Sequence, residues 1–157
     1  MTSSRMGRQY IEEAGGRMAL VRLALERGMW AATVREARPT SDVDVLLVAE
    51  GLPRQHADRR QPFLDAWEAA RTARRLQPIE WNLIVKTRDE ARYRSPLYLD
   101  MVEDAVLILV RERFFEEVLA GMRARMRELG SRRVHLPDGS WYWDLKPDFR
   151  WGEVVEI

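Results

Sequence analysis

The chain of 157 residues has no cysteine, two histidines and two lysines. Without cysteine it has no disulfide, no thiol chemistry and no cysteine-ligated zinc site. His56 and His135 are isolated and far apart in the sequence, which favours surface or turn positions over a shared metal site. Because Lys86 and Lys146 are the two lysines, nearly all the positive charge is arginine, a residue suited to phosphate and carboxylate groups.

An excess of charge of one sign is also lacking, since 26 basic and 25 acidic residues leave a net charge of +1. This balance argues against a nucleic-acid-binding protein that works through its overall charge. The sequence contains no signal peptide, transmembrane segment or lipidation motif, so we expect a cytoplasmic location and no membrane partner. A hydrophobic fraction of 46% and a charged fraction of 32% are typical of a soluble globular domain.

The most informative stretch begins with two carboxylates, Asp42 and Asp44, at the start of an apolar run that ends at Ala49. The run has the length of a buried strand, in which alternate side chains point to the same face. Two neighbouring acids repel each other unless a cation lies between them, and Mg²⁺ is commonly held by carboxylates and substrate phosphates. The alternative is solvated charge at the mouth of the strand, with Ser41 and Asp42 forming a turn.

Residues 36–48, EARPTSDVDVLLV, resemble the catalytic strand of the minimal nucleotidyltransferases, in the DNA polymerase β-like superfamily. The resemblance implies an α/β (α+β) protein with a small mixed sheet of about four strands flanked by helices, the polymerase β-like nucleotidyltransferase fold. It also implies two Mg²⁺ ions and a nucleoside triphosphate substrate, ATP or another. The activity it implies is transfer of the nucleoside monophosphate, AMP in the case of ATP, onto a hydroxyl.

The resemblance assigns roles to three acids. Asp42 and Asp44 match the family's metal ligands, and a neighbouring strand in the family supplies a third acidic residue. Glu80 stands where that acid belongs, as a single acid in an apolar strand predicted over residues 79–85. Asp42, Asp44 and Glu80 are therefore the predicted catalytic and metal-binding residues. The alternative for Glu80 is a charge on an edge strand that reaches solvent or pairs with arginine.

One part of the family pattern is missing. In the family, a Gly-Ser pair after the first strand lets backbone N–H groups approach the triphosphate. Ala32-Thr33 is the nearest substitute, so Thr33 and Ser41 are the candidate nucleotide contacts. The departure leaves a second hypothesis open, a catalytically inactive nucleotidyltransferase-like binding module. A third is a metal-dependent sugar transferase using Asp-x-Asp, for which the chain is short.

Small members of this family often occur beside a helical protein of the HEPN type, and some act as antitoxins that adenylylate it. The resemblance therefore implies a HEPN-type partner in addition to the nucleoside triphosphate. We expect residues 1–112 to form the nucleotidyltransferase-like domain. Residues 113–157 are expected to add a helix and an aromatic hairpin tail that pack on the same domain or present a partner-binding surface.

Periodicity and turn residues predict the remaining elements. Thr87 and Glu90 have the spacing of a capping box at the start of a short helix. The predicted helices cover residues 7–27, with Gly28 as cap, 61–76 and 113–129, and the other predicted strands are 29–34, 43–49 and 105–110.

Overall fold

The structure, a computed structural model, describes residues 29–34, 43–74 and 81–157, without the side chains of residues 29–34, 43, 70, 74 and 81. The helix predicted over residues 7–27 and its cap lie outside these ranges. Labels follow chain order within the described residues. The strands are β1 (Met29–Val34), β2 (Val43–Ala49), β3 (Trp81–Lys86), β4 (Val106–Val110), β5 (Arg132–His135) and β6 (Trp141–Asp144). The helices are α1 (Gln61–Arg74), α2 (Arg88–Arg92), α3 (Leu97–Asp104) and α4 (Phe114–Leu129), with a short 3-10 helix at Ala57–Arg59.

Four strands form one mixed sheet in the order β3-β2-β1-β4. Strands β2 and β3 run parallel, whereas β1 is antiparallel to both of its neighbours, β2 and β4. This confirms the predicted mixed α/β fold class, and β1 and β2 have the predicted bounds. Strand β4 begins one residue later than predicted, because Ala105 still caps α3 by donating its N–H to the Met101 carbonyl.

Strand β2 is buried on both faces, as its apolar run predicts. Leu46 and Val48 are fully buried on one face, and Val45 and Leu47 are at most 3% exposed on the other. Burial on both sides is typical of a strand with a parallel neighbour and helices around it. Strand β2 is therefore a firmly packed element, and its first residues form the support for the candidate site.

Helix α4 contributes much of the core on the face of Leu46 and Val48. Its buried residues are Phe114, Phe115, Leu119, Met122 and Met126, and Val118 is partly buried against the same cluster. The helix starts at Phe114 and not at the predicted Arg113, because Arg113 and the preceding Glu112 have left-handed backbone angles. It ends at Gly130, whose φ of 71° fits the predicted cap. No helix within the described ranges is long and apolar enough to cross a membrane.

Helix α1 is amphipathic: apolar residues at helical spacing, Phe63 and Trp67, are buried. Ala73, which continues this spacing, is exposed near the end of the helix. Helix α1 ends at Arg74, and residues 75 and 76 of the predicted helix lie outside the described ranges.

The predicted capping box begins α2. Thr87 Oγ1 accepts the Glu90 N–H at 3.1 Å, and a Glu90 carboxylate oxygen accepts the Thr87 N–H at 2.9 Å. The same carboxylate receives Nη1 of the buried Arg59 at 2.7 Å, while Arg59 Nε donates to the Pro53 carbonyl. The hydrogen bond from Arg59 is the main reason why the pKa of Glu90 is lowered. Arg59 thus ties the loop after β2 to the start of α2.

The predicted hairpin is present as β5 and β6, which pair antiparallel from Arg132 and Asp144 to His135 and Trp141. The aromatic tail divides into two groups. Trp143 packs against the core cluster, whereas Tyr142, Phe149 and Trp151 are exposed.

Candidate functional site

The described part of the candidate site is a carboxylate held by an amide at one end of the sheet. Asp44 is the second residue of β2 and is half-buried, in contrast to the five buried residues that follow it. Asn82 lies directly opposite on the parallel strand β3, and its Nδ2 donates a hydrogen bond to Asp44 Oδ1 at 2.7 Å. Directly paired residues share a sheet face, so the two side chains meet without any distortion of the strands.

The sheet face that carries Asp44 and Asn82 is partly exposed at this pair and buried further along the strands. Beyond Asp44 it continues with Leu46 and Val48, which belong to the core cluster beneath α3 and α4. Beyond Asn82 it continues with the partly buried Ile84, which packs against the same cluster. The helices therefore cover the face from Leu46 onward, while the exposed Asn82 marks the end that remains open.

The backbone of Thr33 lies at the same end of the sheet. Strand β1 runs antiparallel to β2, and the register pairs Val34 with Val45 and Thr33 with Leu46. In the pairing with β4 the register shifts between Ala32 and Thr33. Such irregularities are common beside active sites, where they redirect the chain. The backbone position agrees with the predicted nucleotide contact, and the role of Thr33 stays a prediction because its side chain is not described.

Three predicted site residues, Ser41, Asp42 and Glu80, lie outside the described ranges. The predicted convergence of Asp42, Asp44 and Glu80 on one metal site therefore stays a prediction. Among the residues that the structure describes, no three His, Asp or Glu side chains come together in a group that could hold a metal ion. Asp44 is the predicted metal ligand within those residues, and its carboxylate oxygens are of the type that Mg²⁺ prefers.

Sequence reasoning missed the contact that Asn82 makes. The alternation of side chains along a strand predicts that Asn82 and Glu80 share one face of the predicted strand. This alternation was the signal in the sequence that could have assigned Asn82 to the site. Its position opposite Asp44 follows only from the register between β2 and β3, which links residues 38 positions apart.

The far end of β3 carries a different polar group. Lys86 donates from Nζ to the Tyr98 hydroxyl at 3.4 Å, and this hydroxyl donates to the Ala91 carbonyl at 3.0 Å. Burial lowers the pKa of Lys86 and raises the pKa of Tyr98 to about 12. Lys86 lies four positions after Asn82 on the strand, roughly 13 Å away at the usual rise. Lys86 is therefore a packed residue of the covered region and not part of the open end.

The described fold is thus a mixed α/β sheet with helices and a carboxylate–amide pair at the start of its parallel strands. No family model matches the chain, and no curated protein matches it. Solved structures with a similar backbone do match it, and three of them follow. A chain of a toxin–antitoxin with AMP-PNP has a TM-score of 0.42 at 10% identity, covering 73% of this chain and 92% of that one.

The second structure is a mutant of the toxin–antitoxin MntA-HpeT, with a TM-score of 0.43, 9% identity and coverages of 73% and 92%. The third is a tri-AMPylated Shewanella oneidensis HEPN toxin in complex with MNT antitoxin, with a TM-score of 0.41, 11% identity and coverages of 73% and 90%. At this level the likeness assigns no residue role, ligand or partner to this chain.

Proposed function

We propose that this chain is a metal-dependent nucleotidyltransferase that moves a nucleoside monophosphate from ATP, or another nucleoside triphosphate, onto a hydroxyl of a HEPN-type partner protein. The observation that carries the proposal is the position of Asp44. It lies half-buried at the start of a strand buried on both faces, where the Asp-x-Asp resemblance requires a metal ligand.

The proposed site combines Asp44 with Asp42 and Glu80. Support comes from the register, which pairs Asp44 with Asn82. Residues two positions earlier on two parallel strands are again opposite each other and on the same face. Continuing the register by this step gives Asp42 and Glu80 as the next pair, so three carboxylates are proposed to share one face.

The donor set suits a hard divalent cation, because carboxylate oxygens at an open strand end leave room for water and phosphate oxygens. When bound, Mg²⁺ supplies Lewis-acid stabilisation of the triphosphate and of the developing charge on the acceptor oxygen. Asp42 and Asp44 are proposed to hold the cation, and Glu80 to complete the site and accept the proton of the acceptor hydroxyl. Thr33 and Ser41 are proposed to contact the nucleotide. The bond between the α-phosphorus and the pyrophosphate oxygen breaks as the bond to the acceptor oxygen forms.

Calorimetric titration of ATP in the presence of Mg²⁺ tests this proposal with Asp44→Asn as the main variant. We expect the variant to lose Mg²⁺-dependent ATP binding, because an amide replaces a charged metal ligand. Asp65→Asn is the matched control, since Asp65 is an exposed aspartate that also accepts a side-chain amide at 2.7 Å. Equal Mg²⁺-dependent binding by wild type and Asp44→Asn would refute the metal role.

The same titration at several salt concentrations separates this function from the inactive module. The segment Ala31 to Arg38 has no glycine, and we propose that the side chains of Arg35 and Arg38 substitute for part of the amide cradle. We therefore expect weak ATP binding that decreases with salt. Mass spectrometry of co-purified proteins then looks for an added nucleotide on the partner. A bound partner without ATP binding at any salt would favour the inactive module.

A further inference from the structure

We propose that Asn82 is a positioning residue of the same site, which holds the Asp44 carboxylate in the orientation needed to bind a divalent cation. This inference rests on the proposed function, because it assigns a role to a residue that neither the motif nor the resemblance includes. Asn82 acts through Asp44 and is not itself assigned a contact with the nucleotide.

The first observation is the geometry of the contact. The distance of 2.7 Å between Asn82 Nδ2 and Asp44 Oδ1 is short for a hydrogen bond of this type. An ionised carboxylate only accepts hydrogen bonds, so the amide must present its NH₂ group to it. An aspartate at the mouth of a strand has several rotamers, and this hydrogen bond selects one of them.

The second observation is that the contact is built into the sheet. Asn82 and Asp44 are directly paired in the parallel register of β2 and β3. The strand residues that directly follow them, Val45 and Leu83, are themselves paired and buried, so the backbone that carries each side chain is tightly packed. The orientation of the carboxylate is therefore determined by the same packing that forms the sheet.

The third point is the chemistry of the amide. A lysine or arginine at position 82 would neutralise Asp44 and compete with a cation, whereas an acid would repel the carboxylate. An asparagine is neutral, so it orients the carboxylate without adding a positive charge that would compete with a cation. Partners that orient metal ligands in this way change metal affinity by roughly 10- to 100-fold when they are removed.

The test uses Mn²⁺ as the probe metal, because it binds oxygen ligands and can be followed directly by calorimetry or by its electron paramagnetic resonance. We expect Asn82→Ala to weaken Mn²⁺ binding at least about tenfold. The melting temperature of the metal-free protein should change by about 2 °C or less, since one exposed hydrogen bond is lost. Gln61→Ala is the matched control, because Gln61 Nε2 also donates to an exposed aspartate, Asp65, at 2.7 Å. The control should leave Mn²⁺ affinity unchanged.

A second measurement does not depend on how the variants fold. In wild-type protein, the side-chain amide resonances of Asn82 should shift on titration with Mg²⁺, while those of Gln61 stay in place. Wild-type protein that binds no Mn²⁺ would refute both the proposed function and this inference. Wild-type protein that binds Mn²⁺, with equal affinity in Asn82→Ala and no Mg²⁺-dependent shift at Asn82, would refute the inference and leave the proposed function standing.

Discussion

Two carboxylates, Asp44 and Glu90, have clearly different surroundings in this protein. Asp44 stands at the open end of the sheet and receives an amide from Asn82. Glu90 receives a guanidinium from Arg59, whose side chain is only 6% exposed, and the backbone N–H of Thr87. Glu90 is therefore a structural acid that compensates a buried positive charge, whereas Asp44 is proposed to bind a cation.

Glu90→Gln should lower the free energy of unfolding by about 1 to 2 kcal/mol at pH 7, because the charge that compensates Arg59 is lost and Glu90 is itself partly exposed. The pKa of Glu90 is lowered in the folded protein, so the wild type binds fewer protons folded than unfolded. Its extra stability is present above the unfolded-state pKa of about 4.3 and is lost as the pH falls through the lower folded-state value.

Urea unfolding of both proteins between pH 7 and pH 3 measures this effect, and the difference between them should shrink as the pH falls. Glu116→Gln is the control, because Glu116 forms an exposed pair with Arg113 and should change the stability by about 0.5 kcal/mol or less. A difference between wild type and Glu90→Gln that is constant over this range would contradict the linkage.

At the scale of elements, side-chain contacts join the hairpin of β5 and β6 to α3, among them the hydrogen bond from Trp143 Nε1 to Asp100 at 2.8 Å. A two-stranded hairpin alone is marginally stable in water. Arg133 fastens it to α3, and its side chain is 13% exposed. Its partners are three carboxylates of α3 and two indole rings of the hairpin: Asp100, Glu103, Asp104, Trp141 and Trp143. Burial alone would lower the pKa of Arg133, but the hydrogen bond and charge of Asp104 together with the other two acids raise it.

Arg133→Ala should release the hairpin from α3 while the main sheet stays folded. The change leaves three carboxylates without the guanidinium that they share. We therefore expect the free energy of opening of the β5 and β6 amides to fall by about 3 kcal/mol. Hydrogen exchange of the amides in β5 and β6 measures this loss residue by residue.

Arg132→Ala is the control within the same strand, because the Arg132 side chain is 65% exposed and pairs with Asp144 inside the hairpin. It should leave the exchange of β5 and β6 nearly unchanged. Equal exchange in wild type and Arg133→Ala would show that the hairpin is held by other contacts.

At the scale of the whole molecule, helices α2, α3 and α4 share one buried cluster with the sheet. Phe115 of α4 is fully buried and meets the Tyr98 ring of α3 edge-on, with ring centres 5.5 Å apart. Leu46 and Val48 of β2 belong to the same cluster. This continuity supports the proposal that residues 113–157 pack on the same domain as residues 1–112.

Phe115→Ala should therefore destabilise the protein as a unit, by about 3 to 5 kcal/mol, because it opens a cavity within this cluster. Urea unfolding followed by circular dichroism and by tryptophan fluorescence should show a single transition that moves to lower urea in both measurements. Phe149→Ala is the control, since Phe149 is 50% exposed and should cost less than about 1 kcal/mol. Two separate transitions in the wild type would contradict a shared domain.

The sequence by itself determined those features that depend on neighbouring residues. Strands β1 and β2 appear at their predicted bounds, and the capping box of Thr87 and Glu90 forms as its spacing requires. Helix α4 ends at Gly130 because glycine adopts a positive φ without a steric cost. The start of α4 was off by one residue, since the left-handed backbone of Arg113 has no local sequence pattern that predicts it.

Only the tertiary structure decided the features that join distant parts of the chain. Strand order and register bring Asn82 to Asp44, and they do so across 38 residues of sequence. The burial of Arg59 beside Glu90 and of Arg133 against two indole rings likewise depends on how the elements pack. Alternation along a strand indicates which residues share a face, but the partner on the next strand is set by the packing of both strands against the core.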